Sequence, residues 1–101
     1  MLYYYYTHFL RKYYLEEYKM VIILQNNGKQ KKFDIDCTVD ELCTKVDEML
    51  PRIETQLNTS VDFILNQETN EATFLCDGVN PMLFEFIAQI CQTELKKIQK
   101  Q

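Results

Sequence analysis

The sequence predicts an α+β domain: a four-stranded, mainly antiparallel sheet with two helices on one face, ordered ββαββα and preceded by an aromatic N-terminal helix or arm. Three observations predict it. Two strand–turn–strand patterns each run into a helical apolar period, a shift of 41 positions lays one half of the chain on the other in pattern, and all seven tyrosines fall within residues 1–19.

Met20-Val21-Ile22-Ile23-Leu24 is a short continuous apolar run rich in β-branched residues, which suit a pleated strand. Asn27-Gly28 follows, and both residues tolerate the positive φ of a tight hairpin. On the returning strand Phe33, Ile35 and Cys37 alternate with Lys32, Asp34 and Asp36, giving one apolar and one charged face. Thr38-Val39-Asp40-Glu41 fits a capping box, so a helix begins at about Val39. Its apolar positions, Val39, Leu42, Cys43, Val46, Met49, Leu50, Ile53 and Leu57, recur at three and four. Pro51 lies inside that stripe, but the period continues in phase beyond it, which predicts one long bent helix rather than a stop.

Val61 to Asn66 is again apolar and β-prone, Gln67 to Asn70 is polar, and Ala72, Phe74 and Cys76 alternate before Asp77-Gly78. A second hairpin follows from that. Asn80-Pro81 supplies an N-cap and a first helical residue whose missing amide costs nothing, opening a helix from Met82 through Ile98 with Lys96, Lys97 and Lys100 at its negative end. The shift sets Ile23 on Ile64, Leu24 on Leu65, Phe33 on Phe74, Asp36 on Asp77 and Leu42 on Leu83, and the apolar register holds to Leu57 on Ile98. Along this last helix Leu83, Ile87, Ile90 and Cys91 read as one side and Phe84 with Ala88 as near the other, so that a two-layer domain buries only the first.

Length and composition bound the rest. With 101 residues, 47% hydrophobic and 26% charged, residues 20–101 make a single domain rather than a disordered or collagen-like chain. Residues 1–19 are a separate Tyr-rich helix or arm, in which Leu2, Tyr6, Phe9, Leu10, Tyr13 and Tyr14 share a broad helical face, although Tyr3 to Tyr6 would also suit a strand. The net charge of −4 and pI near 4.9 argue against nucleic acid as a partner, since phosphate binding needs a cationic face. Arg11, Lys12 and Lys19 against Glu16 and Glu17 make the first 19 residues slightly basic, so the body is more acidic than the whole. No apolar run is long enough for a membrane span.

Chemistry-bearing patterns are sparse. Cys37, Cys43, Cys76 and Cys91 contain no Cys-x-x-Cys pair, and His8 is the only histidine, so no metal site is expected and the cysteines read as buried free thiols. Free thiols and the lack of a secretory leader pattern point to a reducing interior, cytoplasmic or nuclear. No Gly-rich phosphate loop and no nucleophile with an evident base is present, so neither catalytic residues nor a cofactor is expected. Asp34, Asp36, Asp40, Asp47 and Glu48 read as a solvated acidic surface.

Val21–Cys37 followed by Thr38-Val39-Asp40-Glu41-Leu42 resembles the opening of a ubiquitin-like β-grasp domain, which implies two strands leading into a helix that crosses the sheet. The resemblance covers under a third of the chain. The second half departs from it, with a long final helix in place of the closing strand and no Gly-Gly tail, so conjugation is not implied and no family is assigned.

The leading expectation is a non-enzymatic interaction module, a small subunit or adaptor of an intracellular complex, or a homodimer. Tyr6, Phe9, Tyr13, Tyr14, Met82 and Phe84 are its candidate partner-binding residues, because rigid aromatic area concentrates at interface centres. The Tyr-rich segment has a second reading, packing across the open face of its own sheet. The alternative function is a small-molecule or peptide carrier with an apolar pocket between sheet and helices, lined by Phe33, Phe63, Phe74 and Phe84.

Overall fold

A computed structural model describes residues 19–99 and builds them in the expected order, ββαββα. β1 (Lys19–Asn26) and β2 (Lys29–Asp36) pair antiparallel with Asn26 opposite Lys29, leaving Asn27 and Gly28 as the turn. Those residues sit at φ 52° and 87°, the left-handed pair whose twist matches the flanking strands. β3 (Asp62–Asn66) and β4 (Glu71–Leu75) form the second hairpin. Its loop is held by the Asn66 side-chain oxygen, which accepts from the amides of Glu68 and Thr69 at 3.0 and 3.4 Å, and closes on Asn70 at φ 59°.

α1 (Val39–Leu57) opens on the capping box its sequence announces: the Glu41 amide donates to Thr38 Oγ1 at 3.1 Å and the Thr38 amide to Glu41 Oε1 at 2.8 Å. The helix runs through Pro51, which lies on its exposed side, while Met49 and Ile53 hold it to the core. Asn58 ends it at φ 49°, a left-handed cap whose amide donates to the Glu54 carbonyl. α2 (Pro81–Lys96) starts with the Leu83 amide donating to Asn80 Oδ1 at 2.8 Å and stops two residues before Ile98.

The strand order is β2-β1-β4-β3. Both hairpins are antiparallel, and they join through a parallel pairing of β1 with β4, in which Val21 faces Glu71, Ile23 faces Thr73 and Gln25 faces Leu75. The sheet is therefore mixed. Two backbone bonds extend the junction, Val21 amide to Asn70 carbonyl at 2.8 Å and Cys76 amide to Gln25 carbonyl at 2.9 Å. Just beyond, Asn26 is 5% exposed and its Nδ2 donates to the Val79 carbonyl at 2.8 Å, while the Asn27 amide donates to Asp77 Oδ1 at 2.9 Å. The first turn and the segment leading into α2 are thereby clamped together.

Met20, Ile22 and Leu24 of β1, Ile35 of β2 and Ala72 and Phe74 of β4 face the helices, whose Leu42, Val46, Met49 and Ile53 on α1 and Ile87, Cys91 and Leu95 on α2 complete one core. Both helices thus cover one face. The first hairpin and α1 follow the order that the β-grasp resemblance implies.

A polar knot ties the helices at their solvent edge. Glu94 of α2 receives Lys45 at 3.0 Å and Arg52 at 3.5 Å from α1, and Lys97 at 2.9 Å from just past its own helix. Hydrogen bonds from Lys97, then Lys45, hold the Glu94 carboxyl down at about 2, below its ordinary 4.5. Between those values the folded chain binds fewer protons than the unfolded one, so this contribution is complete above 4.5 and fades as pH falls toward 2. Urea midpoints of Glu94→Gln are expected to fall less than wild type over that window and to lie below wild type at neutral pH; an unchanged acid slope would remove Glu94 from the account.

Candidate functional site

Rotation of α2 about its axis decides what the domain offers to other molecules. Phe84, Ile87, Ala88, Cys91 and Leu95 are buried, a stripe at spacings of three and four, so Met82, Glu85, Phe86 and Gln89 point to solvent. Met82 is 83% exposed and Phe86 50%. They stand four positions apart, hence adjacent on the helix surface. With Asn80, Leu83, Glu85 and Gln89 they line a shallow, mainly apolar cleft of about 490 Å³. Glu85 reaches across to β2, its Oε2 2.9 Å from Lys31 Nζ. Both partners are solvated, so this pair orients the rim more than it stabilises the fold.

A second cleft of about 400 Å³ adjoins the first on the side of the opening hairpin, bordered by Asn26, Lys29, Gln30, Lys31, Pro81 and Phe84. Its floor is set by the Asn26–Val79 bond, and Asn26 Oδ1 is buried there without a hydrogen-bond partner. Lys29 and Lys31 edge this cleft, whereas Met82 and Phe86 dominate its neighbour.

The residues expected at a partner surface divide three ways. Met82 is where it was expected, on the surface. Phe84 is 4% exposed and packs in the core, because the buried stripe of α2 is centred one position further along than Leu83, Ile87 and Ile90 suggest. Phe86 holds the outward aromatic position instead. Its signal was available in the sequence: with Phe84, Ile87, Ala88, Cys91 and Leu95 taken as the stripe, Phe86 is the large apolar residue left off it. Tyr6, Phe9, Tyr13 and Tyr14 lie outside the described residues.

The four phenylalanines expected around an internal pocket are packing residues. Phe74 is fully buried, its ring centroid 5.0 Å from that of Phe63 in a tilted arrangement, and Phe33 and Phe63 pack against the cluster that contains Phe74 and Phe84. Among the acidic residues, Asp34, Asp40, Asp47 and Glu48 are exposed and Asp36 is half-buried. Among the described residues, no three His, Cys, Asp or Glu side chains are grouped to hold a metal ion, and no helix is long and apolar enough to cross a membrane.

Cys37, Cys76 and Cys91 are buried and Cys43 is half-buried, all four as free thiols. Burial pushes the Cys91 thiol up to about 12 and the Cys76 thiol up to about 11, with Asp77 adding to the second. Cys43 is raised as well, by burial and then by Asp47 and Asp40 on its own helix. Cys43, Cys76 and Cys91 are therefore held away from the thiolate, the reactive form.

No protein-family model, curated protein or solved structure matches the chain.

Alkylation of the native protein near neutral pH is expected to label Cys43 first and to leave Cys76 and Cys91 protected until denaturant is added. Intact-mass and peptide mapping would read this directly. Fast labelling of Cys91 in the folded state would contradict the packing of α2.

Proposed function

We propose that the chain is a non-enzymatic interaction module, a small subunit or adaptor, which docks a protein partner or a second copy of itself on the outward face of α2. The observation that carries this reading is the pair Met82 and Phe86, 83% and 50% exposed and side by side over an apolar cleft. Large apolar side chains set singly on a surface are ordinary, but two adjoining ones that form a concave patch with a polar rim are the pattern of an interface centre. Glu85 and Gln89 supply that rim, and Lys31 fixes the direction of Glu85.

An aromatic ring with a flexible thioether beside it suits a protein surface. Phe86 gives rigid contact area at small entropic cost, and Met82 adapts to the shape it meets. The acidic balance of the chain disfavours a nucleic-acid partner and sets a mild preference for a basic one. Free thiols buried in the core fit a reducing compartment, so an intracellular site of action, cytosolic or nuclear, belongs to the same reading.

The double substitution Met82→Ser with Phe86→Ser tests it. Because both side chains are solvent-exposed, the thermal midpoint is expected to stay close to wild type. Loss of a central aromatic anchor costs about 2 kcal/mol or more, so affinity for the second copy or the co-purifying protein is expected to drop by roughly thirtyfold or more. Sedimentation velocity and native mass measurement on the full chain read the outcome. A wild-type chain that stays monomeric and partnerless over the accessible concentration range, or a complex indifferent to the double substitution, defeats the proposal.

A further inference from the structure

β1 is a central strand, so on the face that carries no helix its outward side chains are flanked by neighbours on both ladders but have no layer above them. Ile23 is nonetheless closed off from solvent. It alternates with Ile22 and Leu24, which point to the helices, yet it is only 6% exposed and has no place in the cluster beneath them. Across the ladders it faces Lys32 on β2 and Thr73 on β4, and Thr73 in turn faces Ile64 on β3, so one row of side chains crosses the whole sheet. Ile64 at the far end of that row is 52% exposed. Val21 and Leu75 extend the apolar centre along the strands, and Asp34, Asp36, Asp62 and Glu71 stand around it against Lys19 and Lys32. The face is therefore a small apolar field inside an acidic frame.

We propose that its occupant is the chain's own Tyr-rich segment, residues 1–18, laid across the helix-free face so that tyrosine rings cover Val21, Ile23 and Ile64. Three considerations select this occupant over a second copy. The segment runs directly into β1 at Lys19, and a short tether of this kind gives an effective concentration on the order of millimolar. Eighteen residues reach roughly 27 Å as a helix and about 60 Å extended, against a width of roughly 15–19 Å for four strands, so the face lies within reach in either form. Charge leans the same way: a second copy would bring a further frame of Asp34, Asp36, Asp62 and Glu71 against only Lys19 and Lys32, whereas residues 1–18 are balanced, Arg11 and Lys12 against Glu16 and Glu17. Tyrosine suits such a field, because its ring covers Ile23 while its hydroxyl stays with the polar frame. The Met82–Phe86 surface lies on the opposite side of the domain, so this assignment stands or falls apart from the proposed function.

The composition supplies the probe. All seven tyrosines are in residues 1–18 and the chain has no tryptophan, so intrinsic emission reads this segment alone. In the full chain, nuclear Overhauser contacts are expected from tyrosine ring protons to the methyls of Val21, Ile23 and Ile64. Acrylamide quenching of the emission is expected to be several-fold weaker than for a free peptide of residues 1–18, and unchanged on dilution. Ile64→Lys should raise quenching toward the peptide value while the circular dichroism of the body is retained. Peptide-like quenching without those contacts overturns the proposal. Shielding that fades on dilution also overturns it and gives the face to a second copy. Should Ile64→Lys not fold, the contacts in the unmodified chain decide alone.

Discussion

The parallel pairing of β1 with β4 is the constraint on which the rest of the molecule depends. Each ββα half by itself would be a two-stranded hairpin with one helix, an arrangement too small to hold an independent core. Joining them edge to edge makes β1 and β4 central strands, buries Met20, Ile22, Leu24, Ala72 and Phe74 under both helices, and leaves β2 and β3 as the edges. The same junction is where polar groups are most carefully placed. Cys76 and Asn26, by their bonds to Gln25 and Val79, bind the first turn to the lead-in of α2, and Asp77 adds a third tie through the Asn27 amide.

From that clamp the position of the candidate interface follows. Asn80 caps α2 immediately after Val79, so the start of the helix is fixed against the first hairpin, and Lys31 of β2 meets Glu85 one turn in. At the other end Glu94 gathers Lys45, Arg52 and Lys97. With both ends set, α2 has one allowed rotation, in which Phe84 goes in and Phe86 comes out. An exposed aromatic is thus the residue of a packing decision made by Ile87, Ala88, Cys91 and Leu95, and its outward direction is held rigidly.

Most of the fold was legible in the sequence because its signals are local. Asn27-Gly28, the Thr38–Glu41 box and Asn80-Pro81 each state a backbone geometry within a few residues, and the alternation around Phe33, Ile35 and Cys37 states which side faces in. Strand order was not legible. The bonds between Val21 and Asn70 and between Gln25 and Cys76 link positions that carry no mark of each other in composition or period. The candidate site was half legible: Met82 was recognised as surplus apolar surface, but α2 is apolar on more than one side between Met82 and Cys91, and such a helix does not fix its own phase. Phe84 therefore reads as outward and Phe86 carries no signal of its own, whereas the layer beneath α2 takes Phe84 inward and leaves Phe86 exposed.

The central junction has a consequence for the chain while it is still being made. Gln25 and its partner Cys76 are 51 positions apart, so a ribosome working at 5–20 residues per second exposes the free edge of β1 for roughly 3–10 s before β4 can cover it. During that interval the nascent polypeptide displays a bare, β-branched ribbon running Met20 to Leu24, the kind of stretch that invites association with neighbouring chains or with a holdase. Lys29, Lys31 and Lys32 on the adjoining ribbon are already present by then, and their charge is a ready deterrent to such encounters.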